Sequence, residues 1–475
     1  MATVLPSRRQ VAIDTFELQM KRRRWLAAIA LIMLLEQVLI GLTPFSNWTM
    51  TEADAQGDVL RQVVLIATMG LLLLAPHNAR PPMAVPVSFL ILLAYCLLST
   101  TWAIDPGISL RRLAFTALVI WILVRSIGDL GAVRTLTLIR TVMVVLLVIN
   151  FIVVAVSPYG KHLAIEADSI VGDWRGIMRH KNNAGPACVF TVMLFTFDRS
   201  RIPAWVSGVV IAASLFFLYM THSKTSEGML AVALLAGAVM QFYNPRHRSF
   251  IWPVGLIVIA GLVLALTMFS GAIENVFDDP KSFTGRATIW PPLIEYARQY
   301  PWTGAGYGSF WQIGDKSPIL YLNSTWVAER VGAGHNGYLD ILVTLGIPGL
   351  ILTVMVLFVW PGLRLLYATG ISRSRRALFT AIMVFAAGHN ATESSLFDRV
   401  AVVHVFQMIA VVLIHRLSNQ SSGMHQRMRA RMVELAQREQ IARLRRQLRW
   451  RFGVPKRFAR GRRDLATPAG GDGAT

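Results

Sequence analysis

Charge is scarce in this chain. Only 15% of its 475 residues are Asp, Glu, Lys or Arg, against 54% hydrophobic, and mean hydropathy is +0.50. That balance excludes a water-soluble domain, because apolar runs near twenty residues recur from Trp25 to Leu417, each long enough to cross a hydrocarbon core of ~30 Å. Cysteine is almost absent. Cys96 and Cys188 both lie inside apolar runs, where they read as core residues rather than disulfide partners and leave the redox compartment unread. Strong metal-ligand spacing, a Gly-rich nucleotide loop ending in Lys-Ser/Thr, and a nucleophile elbow are missing too. No small-residue cleavage site follows the basic residues Ser7-Arg8-Arg9 and Lys21-Arg22-Arg23-Arg24, so the first span is expected to remain as an anchor. Nor is there an internal repeat of the kind many transporters carry.

What is present is the pattern of an all-α polytopic integral membrane protein. Twelve spans are predicted, at 25–44, 59–76, 83–103, 112–126, 136–157, 184–198, 203–221, 227–243, 250–270, 337–363, 376–391 and 399–416. They divide the chain into a basic N-terminus (1–24), spans one to nine (25–270), a long polar loop (271–336), spans ten to twelve (337–416) and a basic tail (417–475). Arg80, Arg125, Arg134, Arg199, Arg201, Arg246, Arg248, Arg373, Arg375 and Arg376 fall in alternate short loops. The positive-inside rule therefore puts both termini in the cytoplasm and the long loop outside.

Basic residues outnumber acidic ones 47 to 26, a formal charge of +21, and much of the excess lies between Arg416 and Arg463. A topology signal with attraction to anionic lipid headgroups accounts for this better than nucleic acid does. The tail from Met424 to Phe452 is helix-prone, but its apolar stripe of Met428, Met432 and Leu435 changes face by Ile441, Leu444 and Leu448. It reads as a membrane-surface segment without a legible specific partner. The last residues, from Ala466 onward, are expected to be disordered.

Some outer loops break the positive-inside trend. Arg175, Arg179 and Lys181 precede span six, Lys224 sits in the turn between spans seven and eight, and Arg286, Arg298 and Arg330 lie in the long loop. Cations gathered at one outer boundary suit an anion at headgroup depth, such as a lipid pyrophosphate. Any one of them, taken alone, is better explained by snorkelling or by pairing with Asp173, Glu227, Asp278 or Asp279; three clusters on one face favour the anion site. His335 closes the long loop behind Gly332 and Gly334, with Asn336, Tyr338 and Asp340 within the next turn. Its unperturbed pKa suits proton transfer from a sugar hydroxyl, although a histidine at a helix start is also often a cap. Asp340 either orients it or is a paired intramembrane acid. Glu36, His389, Asn390 and Glu393 either line a cavity or bond between helices.

Five motifs occur in order: Arg175-Gly-Ile-Met-Arg-His-Lys-Asn, Ser223-Lys-Thr-Ser, Gly285-Arg-Ala-Thr-Ile-Trp290, Gly304-Ala-Gly-Tyr-Gly-Ser-Phe-Trp311, and His335-Asn-Gly-Tyr-Leu-Asp340 with Leu345-Gly-Ile-Pro-Gly349. Together they resemble the bacterial O-antigen ligase and polysaccharide polymerase superfamily, most closely its exopolysaccharide production polymerases. The resemblance covers about 170–350 by motif and nearly the whole chain by topology. It implies a GT-C-like fold in the bacterial inner membrane and a metal-independent, cofactor-free, inverting glycosyltransferase. The implied donor is an undecaprenyl-diphosphate-linked oligosaccharide and the implied acceptor another glycan, with other polysaccharide assembly or export proteins as further partners.

Carried over by position, Arg286 and His335 are the catalytic pair. Arg286, with Arg175, Lys181 and Lys224, binds pyrophosphate, and Asn336, Tyr338 and Asp340 support the histidine. The family commonly has arginine where this chain has Lys224, which keeps the charge but not the bidentate fork. The aromatic residues Trp290, Trp302, Tyr307, Phe310 and Trp311 are candidates for stacking on sugars or for anchoring the loop at the interface. Two other functions compete: an O-antigen ligase, whose acceptor is the lipid A core, and a non-enzymatic transporter.

Overall fold

The computed structural model of the chain describes residues 8–42, 59–76, 83–163, 170–199, 202–245, 289–322 and 332–420. The elements below lie in one compact unit, Met1–Ser418. The second unit is 419–475; beyond the end of the last helix, the expected membrane-surface segment and disordered end lie outside the described residues.

The protein is an all-α polytopic membrane protein. Its principal helices are α1 (Arg8–Leu39), α2 (Val59–Leu73), α3 (Val87–Ser99), α4 (Pro106–Leu130), α5 (Ala132–Val156), α6 (Lys181–Phe197), α7 (Ala204–Thr221), α8 (Lys224–Phe242), α9 (Trp290–Gln299), α10 (Gly337–Tyr367), α11 (Arg373–His389) and α12 (Val402–Gln420). A helix covers each predicted span except 250–270, which lies outside the described residues. Six of the helices are long and apolar enough to cross a bilayer by themselves, and α2 and α3 are shorter apolar helices. The exception to the span pattern is α9. It belongs to the long loop, starts with Pro291 and Pro292, and turns Leu293, Tyr296 and Ala297 inward while Glu295, Arg298 and Gln299 stay exposed.

Capping chemistry sets the helix ends. Asp105 accepts from the backbone N–H of Ile108 at 3.0 Å, with Pro106 at the first helical position of α4, so a donor that helix geometry orphans is satisfied. Helix α7 stops where His222 turns left-handed (φ 49°), and α8 begins two residues later. The two therefore form a tight hairpin. Helix α6 packs against α7, α8 and α11. Its Phe190 stacks on Phe406 of α12 (4.4 Å between centroids) and meets Phe385 of α11 edge-on (5.3 Å). All three rings are buried, so the cluster locks α6, α11 and α12 together.

Helix α10 is not the uninterrupted span its hydropathy predicts. Gly346 has φ 68° and ψ −175° and breaks it. Pro348, two residues on, lacks an N–H and its ring conflicts with the preceding turn. Polar groups released by the break find other partners: Tyr95 donates to the carbonyl of Leu345 (2.9 Å), and the N–H of Ile347 donates to the carbonyl of Pro301 (2.7 Å). Such repair is what a low-dielectric surrounding demands of a broken helix. A Cβ at Gly346 would lie 2.5 Å from the carbonyl oxygen of Trp302, so glycine is required both by its conformation and by the close passage of the loop. The segment after α9 is thereby fastened to the middle of α10.

Candidate functional site

The starts of α6, α8 and α10 and the ends of α7 and α11 converge at one end of the bundle. The segment before α6 is built on a pair of backbone crossings. His162 N–H donates to the carbonyl of Asp173 (3.0 Å) and Trp174 N–H to that of Met220 (3.0 Å). Asn150, buried in α5, accepts from the N–H of Ile177 at 3.0 Å, and a Cβ on Gly176 would lie 2.3 Å from its side-chain oxygen. Asp173 is therefore aimed at the α7–α8 turn. One of its oxygens lies 2.6 Å from Lys181 Nζ, the other 2.6 Å from His222 Nδ1.

His180 caps α6, its Nδ1 accepting from the N–H of Asn182 (3.1 Å), while His162 Nε2 accepts from the N–H of Lys181 (3.1 Å). The two imidazoles meet edge-on with centroids 4.7 Å apart. Both nitrogens are hydrogen-bond acceptors, so both rings need an unprotonated nitrogen there. Burial pushes the pKa of His180 down to about 3, with further lowering from His162, Lys181 and His335 that outweighs the opposing pull of Glu393.

Glu393, buried in the link between α11 and α12, joins two helix starts. Its Oε1 accepts from Asn182 Nδ2 at 3.1 Å, and its Oε2 lies 3.4 Å from His335 Nδ1. The His335 side chain is 37% exposed, and among the described residues its Nε2 has no hydrogen-bond partner. His335 does not cap α10. Asn336 does, its Oδ1 accepting from the N–H groups of Tyr338 and Leu339 at 3.1 Å each. His335 stands one residue outside the helix in a left-handed conformation (φ 49°), which is uncommon for a non-glycine residue and characteristic of turns and functional positions. Gly337 N–H donates to the carbonyls of Asn390 (2.9 Å) and Glu393 (3.1 Å), and Tyr338 hydroxyl to that of Ala387 (2.8 Å). The start of α10 is thus docked on the end of α11, and the carboxylate and the imidazole meet across that contact.

Asp340 has another task. It accepts from Trp311 Nε1 and from the N–H of Gly334, both at 2.9 Å, and from the hydroxyl of Ser394. Trp290 Nε1 donates to the carbonyl of Gly334 at 2.9 Å. Asp340 therefore ties the glycine turn before His335 to the long loop and to the residue after Glu393, and is not hydrogen-bonded to the imidazole. Arg112 of α4 steadies the same loop, donating to the carbonyls of Gly308 (2.6 Å), Trp311 (2.8 Å) and Gln312 (2.8 Å).

The cationic candidates separate by placement. Lys224 is exposed at the first residue of α8. Lys181 is held by Asp173. Arg175 is 4% exposed and donates to the carbonyls of Tyr159 (2.9 Å) and Arg179 (3.2 Å), so it braces the loop. Arg286 and Arg330 lie outside the described residues, and Arg298 is an exposed neighbour of Glu295 at 3.9 Å. Of the five loop aromatics considered for stacking, Trp302 is exposed; Trp290, Tyr307, Phe310 and Trp311 are buried. Burial raises the pKa of the Tyr307 phenol, which bonds the Thr116 hydroxyl at 2.8 Å.

Comparison with known proteins agrees with the motifs. Residues 187–354 match the family described as O-antigen ligase. A further match is to the exopolysaccharide production protein ExoQ of Rhizobium meliloti, 24% identical over 162 residues, which are 32% of this chain and 37% of that relative. The chain therefore aligns with little more than a third of the relative's length.

Within the matched segment fall Lys224, Arg286, His335, Asn336, Tyr338 and Asp340, while Arg175 and Lys181 precede it and Glu393 follows it. The fold brings Lys181 and Glu393 back to the segment's own residues. Glu393 is the partner that sequence reading missed. It was visible only as an acid beside His389 and Asn390 at the end of a predicted span, and nothing local connects it with His335.

Proposed function

We propose that this protein is an inner-membrane glycosyltransferase that polymerises undecaprenyl-diphosphate-linked oligosaccharide repeats into exopolysaccharide, with its termini in the cytoplasm and residues 271–336 on the periplasmic face. The observation that carries the reading is the His335–Glu393 pair. A carboxylate on Nδ1 selects the tautomer that carries its proton there and leaves Nε2 as a partly exposed acceptor. The 3.4 Å separation is long for a hydrogen bond, as catalytic pairs without substrate often are.

A hydroxyl of the acceptor glycan approaches Nε2. As its oxygen bonds to the anomeric carbon of the donor, its proton passes to His335, and the bond from that carbon to the diphosphate oxygen breaks. The lipid diphosphate leaves with the electron pair, and a single displacement inverts the anomeric configuration. Negative charge grows on the leaving group, so fixed cations there are worth most in the transition state. Lys224 and Arg286 take that role, Lys181 shares its charge between Asp173 and phosphate, and Arg175 shapes the loop that presents them. In this scheme the protein's cations, rather than a metal ion, meet the leaving-group charge. Energy enters with the activated donor, so the outer face needs no nucleotide.

The family description favours a second reading, in which the same donor site serves an O-antigen ligase whose acceptor is the lipid A core. Purified protein given only the lipid-linked repeat separates the two: a polymerase elongates it, and a ligase forms product only when core acceptor is added. The shared chemistry is tested by His335→Asn, which keeps hydrogen-bonding capacity but no base near neutral pH. The expected variant is stable, binds donor and makes no product. Full turnover by His335→Asn would reduce His335 to a structural residue.

A further inference from the structure

A cleft of about 510 Å³ opens between the ends of α3 and α9, away from His335. Trp102 comes from the α3–α4 turn, Tyr296, Gln299 and Tyr300 from α9 and its end, and Lys316 and Tyr321 from the arm that follows. Its walls are built rather than incidental. Trp102 Nε1 donates to the carbonyl of Thr303 (3.0 Å), the N–H of Ile104 to that of Ala305 (3.1 Å), and the N–H of Ala305 to that of Val343 in α10 (2.8 Å). Tyr296 and Tyr300 lie with ring centroids 4.8 Å apart, and the Tyr321 hydroxyl donates to the carbonyl of Asp315 (2.7 Å).

The lining narrows the choice of occupant. Among the described residues Lys316 is its sole cation, and Lys316 already lies 3.0 Å from Asp105, so a phosphate has little to bind there. An acyl chain would meet the Gln299 amide and the Thr303 hydroxyl. Aromatic rings with polar edges, interleaved with an amide, a hydroxyl and an ammonium, suit a neutral sugar, whose C–H face covers a ring while its hydroxyls reach the rim. Exposure fits as well: Tyr300 is 47% and Tyr321 77% exposed, leaving ring surface for a ligand.

Placement supplies the second argument. Helix α9 begins at Trp290, bonded to Gly334 beside His335, and ends at the cleft. A rise of 1.5 Å per residue sets Tyr300 roughly 15 Å from that first turn. A glycan with its reacting end at His335 would reach the cleft a few sugars away. We propose that the cleft is a chain-holding subsite for the acceptor oligosaccharide, resting on the glycosyl-transfer reading above, and that it sets product length by retaining the chain between additions.

The test uses full-length protein in lipid nanodiscs. The probe is free oligosaccharide of several repeats, cut by mild acid from the polysaccharide of the source cells and freed of lipid. Gln299→Ala/Tyr300→Ala is expected to weaken its binding about tenfold and to shorten the polymer, while Tyr300→Phe restores both. His335→Asn is expected to bind the probe as the unaltered protein does and to make no product. Probe binding that depends on Tyr300 in a protein without transferase activity would sink the transfer reading and leave the subsite standing. Unchanged binding and unchanged polymer length in the double variant would overturn the subsite. So would displacement of the bound probe by vesicles of anionic phospholipid, which would assign these rings to the membrane interface.

Discussion

Glu393→Gln is the most searching change at the site, because it removes one charge and little else. Gln keeps a carbonyl oxygen to accept from Asn182 Nδ2, and the backbone carbonyl of residue 393 still receives the N–H of Gly337. What is lost is the anion 3.4 Å from His335 Nδ1, at the moment the imidazole takes a proton and becomes cationic. Unit charges about 4 Å apart at an effective dielectric constant of 20 attract by about 4 kcal/mol. The imidazole is more than a third exposed, and screening cuts that to about 1.5–3 kcal/mol. At about 1.4 kcal/mol for each factor of ten, kcat should fall roughly ten- to a hundredfold. KM for the lipid-linked donor should stay near its original value, because Glu393 bonds His335 and Asn182 and its charge matters most once the imidazole is cationic. The assay is steady-state transfer by purified protein in nanodiscs, with thermal unfolding as a control for folding. Unaltered kcat in a folded Glu393→Gln protein would refute the pairing as a catalytic device.

Other outcomes follow from the same geometry. Arg286→Ala should lower transfer by about a hundredfold or more if that side chain meets leaving-group charge, with Arg286→Lys recovering part of it; near-normal yield from limiting Arg286→Ala protein would remove it from the site. His180 favours its neutral form when folded, because burial lowers its pKa to about 3. Its contribution to stability is therefore complete above about pH 6.5 and is lost as pH falls from there towards 3, with a slope approaching about 1.4 kcal/mol per pH unit. Thermal unfolding of His180→Asn, which still caps α6, should be less sensitive over that range; an identical pH dependence would show that other groups govern it. Tyr300→Cys should react with an impermeant thiol reagent added from the periplasmic side, against a low background because Cys96 and Cys188 are buried. Labelling from the cytoplasm alone would invert the proposed topology and remove the site from its substrate.

Hydropathy and turn chemistry made the helices legible because both are local. A run such as 204–221 declares itself, and Asn336 before Gly-Tyr-Leu-Asp marks a helix start. The cluster of polar residues at one end was legible too, since Lys181, Lys224 and His335 each interrupt an apolar pattern. Their partners were not. His335 meets an acid 58 residues away and Asn182 meets the same acid at a separation of 211, and no periodicity encodes a contact across such distances. Asp340 was expected near His335 on proximity in sequence, but one helical turn directs its carboxylate to Trp311, Gly334 and Ser394 instead. The break in α10 had its cause in plain view in Gly346 and Pro348. Its necessity was not, because that depends on the loop passing within reach of Gly346.

The bridge made by Glu393 bears on synthesis as well as on the proposed catalysis. A chain inserting from its N-terminus delivers Lys181, Lys224 and His335 before residue 393. Until α11 has entered the membrane, the imidazole has no carboxylate and the start of α10 has nothing to dock on. A nascent or truncated protein ending before that helix would carry Lys181, Lys224 and His335 but lack the carboxylate beside the imidazole. If the His335–Glu393 pair is catalytic as proposed, the link made after α11 completes it, and a copy lacking that link would be inert towards activated glycan.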